Sequence, residues 1–375
     1  MIKLFVTGDI HIGKKYDRYP EIKEKLIRGR FDCLRRCVLA AEEADCDFFV
    51  ITGDLFDNTN AIRRSDINEA AEILSHFGGR VLVLPGNHDY YTGEEKVWKH
   101  FREALGSIEH NVTLITAFRD LRFDVREESI TFSPAFCQAK HSTRNNLDWI
   151  RAREPDDATY HIGLAHGALA GLSPDMKNEY FLMTEKELLD IPMDAWLLGH
   201  THIPYPADLS EETDAVGYRI FNPGTPEQTD LSNHTSGLCF VVTLDRTAGE
   251  TTVSARACQS GAIRFHDLTV PVKDHDLKQS ILSEINDLSA NAVIRLRVKG
   301  AIPAEQFAEK QHIYEETLGG FLTYEVLDEE LCELITTEQI RSEFAEIGFA
   351  AELLEALEDP KEIQMAYELI RKYRE

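Results

Sequence analysis

Hydrophobic residues fall in short runs separated by longer amphipathic stretches. Residues 2–8, 47–53, 81–84, 162–165 and 195–199 each read as a short buried strand. Residues 21–44 place Leu26, Phe31, Leu34, Val38 and Ala41 at helical spacing. Residues 66–77 repeat that pattern and stop at Gly78-Gly79. Strand and helix thus alternate through residues 1–85, which predicts a largely parallel sheet. Further on, 94–105 reads as helix, 112–116, 120–125 and 129–133 as short strands, and 145–153 as helix. Thr184-x-x-Glu187 is a capping box opening another helix. Segments 218–222, 238–244 and 251–257 supply strands for a second layer, and residues 222–227 form a tight loop expected near the site.

Past Gly261 the pattern changes. Residues 264–272, 293–299 and 321–327 read as strands, separated by helical stretches at 274–288 and 303–317. The middle strand alternates, with Ile294, Leu296 and Val298 opposite Arg295, Arg297 and Lys299. The remaining residues are helical: Thr336-x-x-Gln339 caps one helix and Asp359-Pro360 starts another. The expected fold is α/β, a two-sheet sandwich flanked by helices with a small α+β cap domain and a helical C-terminal tail. Its expected boundaries are 1–262, 263–335 and 336–375.

The ends of the first five runs carry the chemistry. Asp9 and His11 follow the first, Asp54 the second, Asn87 and His88 the third, His166 the fourth, and His200 and His202 the fifth. Ligands of open α/β sheets gather outside the carboxyl ends of strands. Oxygen donors mixed with imidazole suit Mn²⁺, Fe or Zn²⁺ better than Ca²⁺ or Mg²⁺, and the absence of thiolates argues against a cysteine-rich structural zinc. The donors are too many for one ion and about right for two that share a carboxylate.

In order, Asp9-x-His11, Gly53-Asp54, Gly86-Asn87-His88-Asp89, His166 and Gly199-His200-Thr201-His202 resemble the motifs of the calcineurin-like metallophosphoesterases. The resemblance implies that Asp9, His11 and His202 hold one metal, Asn87, His166 and His200 the other, and Asp54 bridges them. It makes His88 the uncoordinated proton donor, and Asp89 beside it reads as an acceptor orienting its ring. Gly53-Asp54-Leu55-Phe56-Asp57, the Pro223–Glu227 loop, the cap and the tail are similar to the SbcD/MRE-eleven nuclease subunits of double-strand-break repair complexes. That similarity implies a DNA nuclease with 3′–5′ exonuclease and single-strand endonuclease activity. It further implies two Mn²⁺, a homodimer and an SMC-like coiled-coil ATPase partner of the SbcC type. Asp57 sits beside the metal motifs where many archaeal and eukaryotic members carry His and bacterial members often have Asp.

Charge first argues against nucleic acid, since the formal net charge is −25. Its distribution reverses that. Residues 1–36 hold ten Lys or Arg against five acids, and residues 301–375 hold six against nineteen. Lys14, Lys15, Arg18, Arg63 and Arg64 beside the metal loops, with the ladder Arg295, Arg297 and Lys299, are the candidate DNA contacts. Leu353, Leu354, Leu357, Ile363, Tyr367 and Ile370 of the acidic tail are candidate anchors for the ATPase. The seven cysteines form no C-x-x-C pair, no apolar window of eighteen residues exists, and Asp9 leaves no room for a signal peptide. A cytoplasmic protein, nucleoid-associated if prokaryotic, is therefore expected. The alternative reading is a stand-alone phosphodiesterase for cyclic nucleotides or other small phosphodiesters. The roughly 170 residues after His202 weigh against it. A non-enzymatic phosphate-binding scaffold is disfavoured because every ligand position is filled.

Overall fold

The computed structural model describes residues 1–172, 177–344 and 348–374 and divides into two compact units, Met1–Ile263 and Arg264–Glu375. In the first unit β1 (Ile2–Thr7), α1 (Lys23–Glu43), β2 (Phe48–Ile51), α2 (Arg64–Ser75), β3 (Arg80–Val83), α3 (Lys96–Leu105) and β4 (Val112–Leu114) follow one another. Strands β4, β3, β2 and β1 lie parallel in that order, as short βαβ crossovers require. Next come β5 (Leu121–Val125), β6 (Glu128–Ala135), α4 (Asp148–Ala152), β7 (Tyr160–His166), α5 (Glu185–Leu189) and β8 (Ala195–Gly199). The unit closes with β9 (Ala215–Val216), β10 (Ile220–Phe221), β11 (Leu238–Thr247) and β12 (Glu250–Gln259).

These strands form two sheets. One has seven strands in the order β4-β3-β2-β1-β11-β12-β9, the other five in the order β10-β8-β7-β6-β5. Leu4, Val6, Phe48, Val50 and Leu82 of the first meet Phe132, Ile162, Leu164 and Leu197 of the second in one buried layer. The opposite face of the seven-stranded sheet is covered by Phe31, Leu34, Val38, Ile67, Leu74 and Phe101 of the helices. Cys33 and Cys37 are buried in that layer. Sandwiching the sheets over apolar faces leaves their strand ends on one rim.

Several strands run past the bounds read from the sequence, β15 by six residues at its C-terminal end. Segment 129–133 grows to β6 because Pro134 and Ala135 pair with Leu164 and Ala165. The helix expected at 145–153 shrinks to Asp148–Ala152, and the Thr184 capping box is present.

The second unit contains β13 (Arg264–Pro271), α6 (Leu277–Ile285), β14 (Ala292–Ile302), α7 (Ala304–Leu318) and β15 (Thr323–Glu333), then α8 (Thr337–Glu343), α9 (Phe349–Ala356) and α10 (Pro360–Arg374). Its three strands are parallel, and Val270, Ile294, Leu296 and Val298 pack against Leu277, Ile281 and Tyr314. Cap and tail are not separate here: Gln364 Oε1 accepts from Glu333 N at 2.9 Å, and Lys361 Nζ donates to Glu329 O at 3.0 Å. Residues 345–347 and 375 of the expected tail lie outside the described residues. Among the proposed ATPase anchors, Leu354 and Tyr367 are buried against Ile340 and Phe344, with Ile363 and Ile370 packed on them. Leu353 of the proposed anchors stays exposed, and with it the apolar side chains of Phe349, Met365, Leu369 and Tyr373.

The basic ladder is also corrected. Arg297 Nη2 lies 2.8 Å from Asp267 Oδ2, and Arg295 Nε lies 3.0 Å from Glu325 Oε2. Carboxylates on the two adjacent parallel strands, Asp267 on β13 and Glu325 on β15, neutralise it, which strand alternation within β14 alone cannot reveal. Of the three, Lys299 has no carboxylate partner among the described residues.

Phe132 bridges the two sheets, its ring edge-on to Phe48 and Phe123. Phe132→Ala should destabilise the first unit by about 3–5 kcal/mol through lost burial and an unfilled cavity. Urea unfolding would measure this, and a loss below about 1 kcal/mol would show that the sheets do not depend on this contact.

Candidate metal centre

Hydrogen bonds between strand ends build the rim. Asp9 N donates to Gly53 O and His11 N to Asp54 O, each at 3.0 Å, so the first two loops rise together. Asp9, His11, Asp54 and His200 all have left-handed backbones, with φ of 52°, 51°, 51° and 100°. Asp and His visit that region more readily than most residues, and such strain persists where surrounding contacts over-determine it. Gly53 (φ 112°) and Gly86 leave the space the centre needs. A Cβ on Gly53 would lie 2.0 Å from His166 Nδ1, and one on Gly86 would lie 2.2 Å from Asp54 Oδ1.

The seven candidate ligands converge in two sets. His11 Nε2 lies 3.2 Å from His202 Nε2, which lies 3.6 Å from Asp9 Oδ1. Asn87 Oδ1 lies 2.9 Å from both His166 Nε2 and His200 Nδ1. Asp54 Oδ2 belongs to both sets, at 3.9 Å from His11 Nε2 and 3.4 Å from His166 Nε2. Two ligand atoms each about 2.1 Å from one ion stand roughly 3.0–3.5 Å apart. Asp9 Oδ1 and Asn87 Nδ2 are buried without a hydrogen-bond partner among the described atoms. A carboxylate oxygen so placed against imidazole nitrogens fits a divalent cation, and the donor set suits the two-ion arrangement.

Surrounding groups fix each ligand. His166 Nδ1 faces Thr52 O at 2.8 Å; a carbonyl only accepts, so Nδ1 carries the proton and Nε2 is left to bind. Asp9 Oδ2 accepts from His200 N at 3.0 Å, and Asp54 Oδ1 accepts from His88 N at 2.8 Å. Thr225 Oγ1, in the loop expected near the site, lies 2.9 Å from Asp9 O. Asp57 Oδ1 sits 3.3 Å from His11 Nδ1, on the side of the ring away from His202.

Electrostatics follow from burial. Desolvation opposes the Asp54 carboxylate, but His166, His11 and His88 outweigh it and hold it well below the usual carboxylate range. Burial likewise disfavours the His166 imidazolium, yet Asp54 and Asp9 raise it to about 9. Burial, then the charge of His166, depresses His200 to about 4.

Two candidates take other roles than the sequence suggests. Asp89 does not orient His88. Its carboxylate accepts from Gly86 N at 2.7 Å and Phe56 N at 2.9 Å, tying two rim loops together. The side chain turns inward because both donors lie beneath the loop, and burial with the nearby Asp54 charge lifts its pKa to about 8. The His88 ring instead meets the Asp57 backbone carbonyl through Nδ1, at 3.1 Å. Among the basic candidates, Lys14, Lys15 and Arg63 line one cavity, whereas Arg64 pairs with Glu103 at 3.0 Å. The structure also adds a wall that sequence reading left out. Tyr180 stacks on His200 (5.0 Å, 29°) and His141 lies against Tyr180 at 5.0 Å. Only the pairing of Ser142 with Tyr180 across 38 residues could reveal it.

The sequence profile described as calcineurin-like phosphoesterase matches residues 2–204, which span both metal sets. The chain belongs to that family, and is a metal-dependent phosphoester hydrolase. It is similar to the uncharacterized metallophosphoesterase YhaO of Bacillus subtilis (strain 168), 28% identical over 202 residues, which are 52% of this chain and 47% of that protein. It is also similar to a transmembrane protein with metallophosphoesterase domain from Bos taurus, 27% identical over 213 residues, 54% of this chain and 40% of that one. The chain thus spans less than half the length of these two relatives. The structure of the calcineurin-like phosphoesterase YfkN from Bacillus subtilis aligns with a TM-score of 0.44 at 12% identity, over 68% of this chain and 89% of that one. No helix among the described residues is long and apolar enough to cross a membrane.

Two outcomes are expected. Asp54→Ala should remove both ions, because its Oδ2 is common to the two sets; elemental analysis showing two metals retained would exclude the shared-carboxylate arrangement. Metal uptake should also expel the His166 proton, which is bound below about pH 9. Affinity should therefore fall as pH falls from 9 to 6. Calorimetry in buffers of different ionisation heat checks the proton release, and identical heats in all buffers would contradict it.

Proposed function

We propose that this phosphoesterase is a Mn²⁺-dependent DNA nuclease with 3′–5′ exonuclease and single-strand endonuclease activity. In this reading it acts in the cytoplasm, in double-strand-break repair, as a homodimer with an SMC-like ATPase. The observation that carries the choice of DNA over small phosphodiesters is the charge at the rim. In a chain of net charge −25, Lys14, Lys15 and Arg63 stand beside the metal loops with no carboxylate within 4 Å among the described residues. A basic rim on an acidic protein steers polyanions to one place. The exposed side chains of Phe349, Met365, Leu369 and Tyr373 support a docking role for the second unit.

Two divalent ions held by these sets would lower the pKa of a bound water and neutralise phosphoryl oxygen charge. The chain does the rest. Asp54 is kept ionised and aimed by the His88 amide. Asp57 holds the His11 ring from behind. Water adds to phosphorus and gives up a proton to solvent, the bond to the leaving alkoxide breaks, and that alkoxide takes a proton from His88. The Nδ1 of His88 is committed to the Asp57 carbonyl, so the protonated ring donates from Nε2. Tyr180 and His141 would flank the leaving group as an aromatic wall.

The activity test is direct. Mn²⁺-loaded protein should degrade linear DNA and lose that activity on chelation, with cyclic nucleotides cleaved far more slowly. The reverse preference would favour the small-phosphodiester reading. His88→Ala should retain both metals, since its backbone amide still holds Asp54, yet lose about 10²–10⁴-fold in kcat on DNA. The loss should be much smaller with p-nitrophenolate as leaving group, which needs little protonation. Equal losses on both substrates would rule out a donor role.

A further inference from the structure

Beside the metal loops lies a cavity of about 250 Å³ lined by Gly13, Lys14, Lys15, Asp17, Lys23 and Arg63, with Ile27, Ala61 and Asp66 completing it. It is smaller than the roughly 300–1,000 Å³ of pockets that enclose whole ligands. At about 30 Å³ per water it has room for one charged group with its hydration shell. Four of its side chains are cationic and two anionic, and Lys23 is paired with Asp17. Lys14, Lys15 and Arg63 are left facing the space without a carboxylate partner among the described residues.

The cavity is built from the loops that carry the reaction centre. Lys14 N donates to His11 O at 3.1 Å, and Asp57 N donates to Ile12 O at 3.0 Å. Gly13 (φ 90°) brings the first loop so close to the second that an added Cβ would lie 2.2 Å from Ile62 Cδ1. A group lodged there is therefore held at a fixed offset from a phosphate at the metal sets. Concentrated positive charge in a group-sized cleft favours a second phosphoryl group, and an arginine adds planar, multidentate donors.

Building on the nuclease reading, we infer that the Lys14–Lys15–Arg63 cavity binds the phosphate adjacent to the scissile one on a nucleic-acid strand. The cavity thereby selects polyphosphorylated strands over isolated phosphodiesters. A substrate carrying that second phosphate gains affinity and is fixed in register.

The test compares the dinucleotide TpT with pTpT and TpTp, which share its scissile bond and add one phosphate on either side. The metal-loaded wild-type protein should cleave at least one phosphorylated form with kcat/KM tenfold or more above TpT. Which form gains shows on which side the cavity lies. The Lys14→Ala/Arg63→Gln double variant, with metal content and melting temperature measured alongside, should lose most of that ratio. Equal kcat/KM for the three dinucleotides in the wild type, or an unchanged ratio in the variant, overturns the inference. If no dinucleotide is cleaved, the nuclease reading fails separately. The cavity is then judged by their inhibition of bis(p-nitrophenyl) phosphate hydrolysis. Tenfold tighter inhibition by a phosphorylated form, lost in the variant, supports the site, and inhibition independent of the added phosphate overturns it.

Discussion

A single buried negative charge organises this protein. Asp54 is 1% exposed, at the end of a strand in the middle of the sandwich, and its carboxylate cannot be left uncompensated there. Imidazoles from four other loops converge on its surroundings, and the His88 amide takes the oxygen they leave. Burial raises the stakes in both directions. It strengthens each attraction within the centre and makes each unpartnered polar atom, such as Asp9 Oδ1, costly until a cation meets it.

That constraint explains the local backbone. Ligands must turn sharply off their strands to point at one spot, and four of the candidates adopt left-handed conformations to do so. The strain is held by the loop-to-loop hydrogen bonds from Asp9 and His11, and by Asp89, whose carboxylate ties the Gly86 and Phe56 amides. Gly53 and Gly86 are glycine for a steric reason, since a methyl group at either would overlap the centre itself. Stability of the two-sheet core and precision of the site are thus one problem: the sheets must stay packed for the five rims to stay aligned.

Charge outside the centre divides by register. Arg295 and Arg297 find Asp267 and Glu325 on adjacent strands of their own sheet and cancel there. Arg28 and Arg35 share Glu69 on the neighbouring helix. Lys14, Lys15 and Arg63, with no ion-pair partner among the described residues, stand together in one cavity beside the metal loops. The total charge of −25 therefore describes the surface at large and not the approach to the metals.

The sequence by itself determined the strand ends and the chemistry on them. Short apolar runs followed at once by Asp, His or Asn need no long-range information, because strand period and turn residues are local properties. The same is true of the amphipathic α1 and of the capping box at Thr184, whose partners lie within four residues. Tertiary structure decided whatever depends on distant partners. Asp89 reads locally as a partner for its neighbour His88, but the sandwich offers it the Phe56 amide, 33 residues away. The ladder on β14 reads as an exposed cationic face, but its counter-charges sit on β13 and β15. Leu354 and Tyr367 have the spacing of docking anchors, but Ile340 and Phe344 claim them. Periodicity tells which side chains share a face; only the folded chain tells what that face meets.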